Sequence, residues 1–438
     1  MSCSKHLLLT HKRSLPFSSS LRTTTTRTTI SLTKHLLPPS RLKTSPLLRM
    51  LSTSSMNNIN NNELTTTNLS KLNTNSSYIS EEYLNDSSSV SSNTSYEISI
   101  NDDDYNLNSL NLNLKESSLE SLLDLKQISN DTFINKSELF IPYRGRGLFG
   151  GTMAAQSVLA ALYYSNTLEK SWKPISIHCH FLDAVQPNPT LYYKVINLKD
   201  GKNYCTHEVQ LYQNDKLVFK STVSLQAYQL NGSASNLEGQ LNHHRNAPII
   251  GKDIKKPSEM LSQEDLFKIW AEKSKNKKHL EYLNGKHCHR DVTASYNREP
   301  CIWKLPQDLF DDELITDEER NLAPSARTLR YWVKTKELLK TPSIFNWVAI
   351  AYISDYFYLS TNMRLNMRQM FTTKFSVSLD HTIYFNEEID TSCFFNYNVK
   401  NIKAGENRSI MIGEMFSAEG KLAATTVQEG LSVIYTDC

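Results

Sequence analysis

One carboxylate stands alone in an apolar neighbourhood. It is Asp355, inside SIFNWVAIAYISDYFYLSTN, residues 343–362. An unpaired ionised carboxylate in such surroundings is costly, so it must be hydrogen-bonded, paired or used. Two later segments, SVSLDHTIYF from Ser376 and TTVQEGLSVI from Thr425, could bring a hydroxyl and an amide to meet it. A carboxylate with such partners can hold a water and take its proton. Two His-Cys-His triplets, at 178–180 and 287–289, raise a metal reading. In a strand the middle residue points away from its neighbours, and no second cluster has zinc-ligand spacing, so no metal is expected.

The elements that position Asp355 follow from the hydrophobic pattern. Residues 343–362 are apolar on nearly every face, so they predict a helix surrounded by protein. The pattern runs on through Tyr356, Phe357, Tyr358 and Leu359, which predicts that Asp355 lies within the helix rather than at its end. Four strands are expected after it: SVSLDHTIYF, TSCFFNYNVKNI, RSIMIGEMF and KLAATTVQEGLSVI. On strict alternation Ser376, Ser378 and Asp380 share one face of the first strand, and Val377, Leu379 and His381 the other. Two strands, EPCIWKLP and TLRYWVKTKE, precede the helix, with the acidic DDELITDEER between them.

The same order occurs earlier in the chain. LDLKQISNDTFI predicts an opening strand, FGGTMAAQSVLAALYYSNTLE a helix entered through Gly150-Gly151, and four alternating segments follow up to about residue 230. One helix followed by a four-strand meander implies an antiparallel sheet packed around a helix, here duplicated in tandem. The duplication aligns Ser176-Ile177-His178 with Ser378-Leu379-Asp380, and Gln226 with Gln428. The first helix carries no carboxylate from Phe149 to Leu168, which predicts one active and one supporting unit. The domains expected are 117–230 and 296–438, joined by a polar insertion at 231–295 that contains a capped surface helix from Ser262.

The remaining chain is of a different kind. The first 62 residues hold nine Lys/Arg and no acid, leaving 39 basic against 45 acidic residues in the rest. That folded part carries no basic patch of the sort a nucleic-acid binder needs. Residues 1–51, rich in Arg, Ser and Thr, have the composition of a mitochondrial transit peptide, and Arg49-Met50-Leu51-Ser52 resembles a matrix-peptidase site cut after Leu51. Residues 52–116 are Asn/Ser/Thr-rich and are expected to be a disordered spacer. Seven scattered cysteines with no CxxC pair are consistent with reduced thiols. No run approaches the ~20 apolar residues a membrane-spanning helix needs.

The ordered segments RGRGLFGGTMAAQSVLAA, SIHCHFL, LKDGKNYCTHEVQLYQ, AYISDYFYL, SLDHTIYF and EGKLAATTVQEG resemble the acyl-CoA thioesterase II family, the double-hotdog thioesterases. The resemblance implies an α+β fold of two hotdog units whose sheets continue into one another. It implies hydrolysis of fatty acyl-CoA to free fatty acid and CoA, with no cofactor. It further implies that Asp355, Ser378 and Gln428 jointly activate the attacking water, with acyl-CoA the partner and a homo-oligomer compatible with the chain.

Under that reading Gln428 orients the water and donates to the developing oxyanion. Gly150 and Gly151, at a helix start, supply backbone N–H groups to an oxyanion or phosphate, or else only pack closely. Arg144 and Arg146 meet CoA phosphates or form a solvated loop, and His381 contacts substrate or supports the site. The first unit departs from the family's pattern at LDAVQP. Relatives are often peroxisomal, but the chain ends Tyr435-Thr436-Asp437-Cys438 without an SKL-like address, so the mitochondrial matrix is expected, with the peroxisome as the alternative. Two other functions compete: a hotdog enoyl-CoA hydratase, which would need an Asp/His pair at a helix start, and a non-catalytic acyl-CoA-binding regulator, in which the three polar groups would fail to converge.

Overall fold

The computed structural model describes residues 115–139, 141, 147–166, 170–228, 241–273, 298–368, 370 and 373–434. The N-terminal basic tract and nearly all of the Asn/Ser-rich spacer, Arg144, Arg146 and the second His-Cys-His triplet lie outside these residues.

The first half opens with a short helix, α1 (Ser118–Leu123), and two short strands, β1 (Leu125–Gln127) and β2 (Thr132–Asn135), where a single strand was expected. Helix α2 (Gly150–Ser165) follows, and then β3 (Trp172–Phe181), β4 (Tyr192–Lys199), β5 (Tyr204–Gln213) and β6 (Lys216–Ala227). The insertion adds β7 (Leu261–Ser262) and α3 (Gln263–Lys273), the helix expected from Ser262. The second half contains β8 (Cys301–Leu305), α4 (Asp317–Arg320), β9 (Leu329–Thr335), α5 (Pro342–Ile353), α6 (Tyr358–Leu365), β10 (Thr373–Phe385), β11 (Phe395–Gly405), β12 (Arg408–Phe416) and β13 (Leu422–Ile434).

Among the described residues, thirteen strands join one sheet, ordered β1-β2-β4-β5-β6-β3-β10-β13-β12-β11-β9-β8-β7. Read outward from its middle, each half repeats one order, so the two meander sheets are fused through the antiparallel β3–β10 pair. Helices α2 and α5 lie side by side against it, and α5 is buried from Phe345 to Ile353 on every face. The start of α2 meets the end of α5: a Cβ on Gly151 would collide with the carbonyl oxygen of Tyr352.

The β3–β10 ladder is centred on His178↔Thr382. The two-fold relation of the halves therefore carries Ile177 onto His381, and their cross-strand partners Val223 onto Gln428. This corrects the alignment expected from sequence. Gln226 sits opposite Lys173 near the end of β6 and donates to the Tyr204 hydroxyl, whereas Gln428 is fully buried. Where the second half places an imidazole and an amide, the first places Ile and Val.

The helix expected over 343–362 is not continuous. It ends at Ile353, turns through Ser354–Phe357 and restarts at Tyr358. Phe357 has φ 56°, a left-handed conformation that costs a non-glycine residue roughly 1–2 kcal/mol. Aromatic packing offsets that cost. Tyr356 stacks on Trp303 with centroids 4.3 Å apart, and Phe357 meets Trp303 and Tyr331 edge-on at 5.5 and 6.0 Å. An apolar run cannot reveal such a break, because apolar and aromatic residues continue through both helices and the turn between them.

Candidate active site

Asp355 lies in this break, at the mouth rather than in the middle of a helix. Gln428 Nε2 donates to Asp355 Oδ1 at 2.7 Å and to Ser378 Oγ at 2.6 Å. The Gly151 backbone N–H also donates to the Asp355 carboxylate. Both hydrogens of the Gln428 amide are thereby used, so Gln428 links carboxylate and hydroxyl and has none left for an oxyanion. The Ser378 oxygen accepts from Gln428, which leaves its own hydrogen free to point into the cleft.

Ser378 reaches Gln428 because β10 is irregular. Ser378 pairs with Gly430 and Asp380 with Glu429, so Leu379 is an extra residue in the ladder. A bulge of this kind resets which side chains face inward. Ser378 and His381 share the inner face with Gln428, while Asp380 turns aside to accept from the Glu429 N–H at 2.9 Å. The alternation that placed Ser378 with Asp380 and against His381 is corrected by that one residue.

His381 is fully buried and does not line the cleft, which corrects its assignment to substrate. Its Nε2 lies 2.8 Å from Ser354 Oγ, whose single hydrogen goes to the Ala351 carbonyl, so His381 donates through Nε2. Burial drives its pKa down to about 3, and it remains neutral beneath the Asp355 turn.

Asp355 still shows surface in the cleft, but it is surrounded closely enough that burial pushes its pKa up to about 7. The hydrogen bonds from Gln428 and Gly151 pull the other way. The result is a carboxylate poised near neutral pH, as a general base should be.

The cleft has a volume of about 660 Å³. Gly150, Met153 and Phe181 from the first half face Phe357, Leu359 and Met363 from the second across it, with Asp355 and Ser378 between them. A Cβ on Gly150 would lie 2.5 Å from Asp355 Oδ2. The glycine pair thus sits against Asp355: Gly150 lines the cleft beside its carboxylate, and the Gly151 N–H is directed at the same group. The acidic stretch between β8 and β9 also acts here. Glu319 grips the buried Arg364 of α6 with both oxygens, at 3.0 and 2.9 Å, and Asp308 closes on the same guanidinium, so the helix carrying Leu359 and Met363 is held from behind.

Among the functional residues, Gly151 as a partner of Asp355 was not legible in sequence. The only signal was a glycine pair at a helix start, which does not say what approaches it.

The family model of acyl-CoA thioesterase matches residues 320–431, and that of the acyl-CoA thioesterase N-terminal domain matches residues 141–226. The peroxisomal acyl-coenzyme A thioester hydrolase 1 of Saccharomyces cerevisiae is 27% identical over 340 residues, covering 72% of this chain and 95% of the relative. Acyl-coenzyme A thioesterase 8 of Rattus norvegicus is 25% identical over 317 residues, covering 71% and 87%. An acyl-CoA thioesterase II from Mycobacterium marinum has a TM-score of 0.51 at 19% identity, covering 73% of this chain and 99% of its own. A hot dog fold protein from Alicyclobacillus acidocaldarius has a TM-score of 0.50 at 15% identity, covering 74% and 100%. The fold is therefore the double hotdog expected from the sequence. With both halves matched in the order the sheet arranges them, the chain belongs to the acyl-CoA thioesterase II family.

Proposed function

We propose that the protein hydrolyses fatty acyl-CoA to free fatty acid and CoA, with Asp355, Ser378 and Gln428 as its catalytic residues. The observation that carries the mechanism is the placing of Asp355 and Ser378 together on one edge of the cleft, joined from behind by the buried Gln428 amide. Ionised Asp355 takes a proton from a water held between its carboxylate and the Ser378 hydroxyl. The hydroxide adds to the thioester carbonyl, and the tetrahedral intermediate expels CoA as a thiolate. A thiolate leaves readily, so no strong general acid is needed. Gln428 locks the base and the hydroxyl in register. In this reading residues 117–230 form the supporting hotdog, 296–438 the catalytic one, and 231–295 an elaborated connection.

The convergence argues against the regulator reading, and His381 is fully buried and does not line the cleft beside Asp355, where the hydratase reading would need an imidazole. The direct test is thiol release from acyl-CoAs of graded length by the purified full-length chain. Release with none of them overturns the proposal. Gln428→Leu keeps the side-chain bulk and removes both hydrogen bonds. It is expected to lower kcat about 10²-fold, as losing a donor in a preorganised site does. Because the Gln428 bond favours the ionised carboxylate, the acidic limb of the kcat profile should also move to higher pH. A kcat profile indistinguishable from wild type would remove Gln428 from the mechanism.

For location, the acid-free N-terminal tract supports the mitochondrial matrix, with processing after Leu51. The yeast relative is named as peroxisomal, which supports the alternative. Co-localisation with matrix and peroxisomal markers, together with N-terminal sequencing of the mature chain, separates the two. The expected result is a matrix signal and a chain beginning at Ser52; a peroxisomal signal overturns it.

A further inference from the structure

A helix that stops inside a core leaves carbonyl groups without intrahelical partners, and each must be satisfied. At the end of α5 the account is nearly complete within the turn itself. Ser354 N–H takes the Ile350 carbonyl, Ser354 Oγ takes Ala351, Tyr356 N–H takes Ile353, and Thr361 takes Phe357 through its N–H and hydroxyl. Two carbonyls are instead met from outside, and they are the ones flanking Asp355. Tyr397 donates to the Ser354 carbonyl at 2.8 Å, and Tyr331 donates to the Tyr356 carbonyl at 2.9 Å.

We propose that Tyr331 and Tyr397 are positioning residues for Asp355, their hydroxyls fixing the peptide carbonyls on either side of it and so setting where its carboxylate points. The inference rests on the reading of Asp355 as the base. Tyr331 of β9 and Tyr397 of β11 are directly opposite one another in the ladder, both are fully buried, and their rings lie 5.5 Å apart. One cross-strand pair therefore grips both sides of the turn. The grip is tied to Gln428 as well. The Tyr397 hydroxyl lies 2.9 Å from Thr426 Oγ1, and Thr426 shares with Gln428 the inner face of β13. On β12, Gly413 leaves room for this contact, since a Cβ there would run into Thr426 Oγ1 and the Tyr397 ring.

The first half supplies an internal comparison. The two-fold relation carries Tyr193 onto Tyr397, and the residue opposite Tyr193 is Phe133, which has no hydroxyl. Tyr193 donates to the side chain of Gln156 at 2.6 Å and not to a peptide carbonyl. In the half whose helix runs unbroken and carries no base, the clamp is absent. A pair serving only core packing would have no reason to differ in this way.

The test compares Tyr331→Phe, Tyr397→Phe, their double variant and Tyr193→Phe in the full-length chain, reading kcat, KM and Tm. Each clamp variant is expected to lower kcat about 10-fold, and the double variant about 10²-fold, with KM unchanged, the size expected from a base displaced by about 1 Å. Tyr193→Phe, which removes a similar buried hydroxyl, is expected to shift Tm alone. If the clamp variants keep wild-type kcat and shift only Tm, as Tyr193→Phe should, the hydroxyls are structural and the proposal falls; the single variants decide this if the double does not fold. Activity retained in Asp355→Asn would overturn the underlying reading instead. An inactive Asp355→Asn beside fully active clamp variants would overturn the clamp alone.

Discussion

Asp355→Asn is expected to lower kcat about 10³-fold and, above neutral pH, to make the protein more stable, the loss being within the range a positioned general base supplies. The two effects share a cause. Burial raises the carboxyl from 3.8 to about 7, so the folded protein holds its proton more tightly than the unfolded chain. The stability this contributes is fully present below about pH 3.8 and is lost as pH rises through about 7. Over that interval the loss amounts to about 4 kcal/mol.

The asparagine side chain does not titrate and avoids that loss. The gain is an upper bound, because the new amide hydrogens meet the N–H donors of Gln428 and Gly151. Thermal unfolding at pH 8 should therefore give a higher Tm for the variant, and the two curves should converge towards pH 4. Thiol release by the wild type should rise with pH through about 7 as the base ionises. Equal activity in wild type and variant would sink the mechanism, and a lower Tm at pH 8 would show that the carboxylate is stabilised rather than strained.

How much of this was legible in the sequence depended on the kind of signal. Period-two alternation placed the strands of both meanders, and the order of elements exposed the duplication. Asp355 stood out because an acid among aromatic residues is rare enough to need a reason. What could not be read were single-residue irregularities. The Leu379 bulge reverses the face of every β10 residue beyond it, and no composition marks it. The left-handed Phe357 ends one helix and begins another within an unbroken apolar run. The equivalence of Gln226 with Gln428 failed for a related reason: a repeat aligned on short identities can slip, whereas hydrogen-bonded register cannot. The contact of Gly151 with Asp355 joins residues more than two hundred positions apart, and only the fused sheet brings them together.

Gly150→Ala and Gly151→Ala are expected to fail in different ways, although they are adjacent and chemically identical changes. At Gly150 the added Cβ meets Asp355 Oδ2 at 2.5 Å and the edge of the Phe181 ring at 3.0 Å. Both are ends of side chains that can swing away, so the fold should tolerate the methyl at a cost of about 1 kcal/mol or less. The carboxylate, however, must leave its place beside Gln428, and a displaced base should cost about 10²-fold in kcat. At Gly151 the Cβ instead meets the Tyr352 carbonyl oxygen, which is backbone, and the Phe149 ring behind it. The Tyr352 carbonyl cannot rotate aside, so the start of α2 must separate from the end of α5. Overpacking of this kind costs about 1–3 kcal/mol, and the N–H donated to Asp355 moves away as well. Gly151→Ala should therefore lower both Tm and kcat, while Gly150→Ala should lower kcat with little change in Tm. Parallel losses of Tm in both variants, with kcat preserved in the folded fraction, would reduce the pair to packing glycines and detach the first half of the protein from the chemistry of the second.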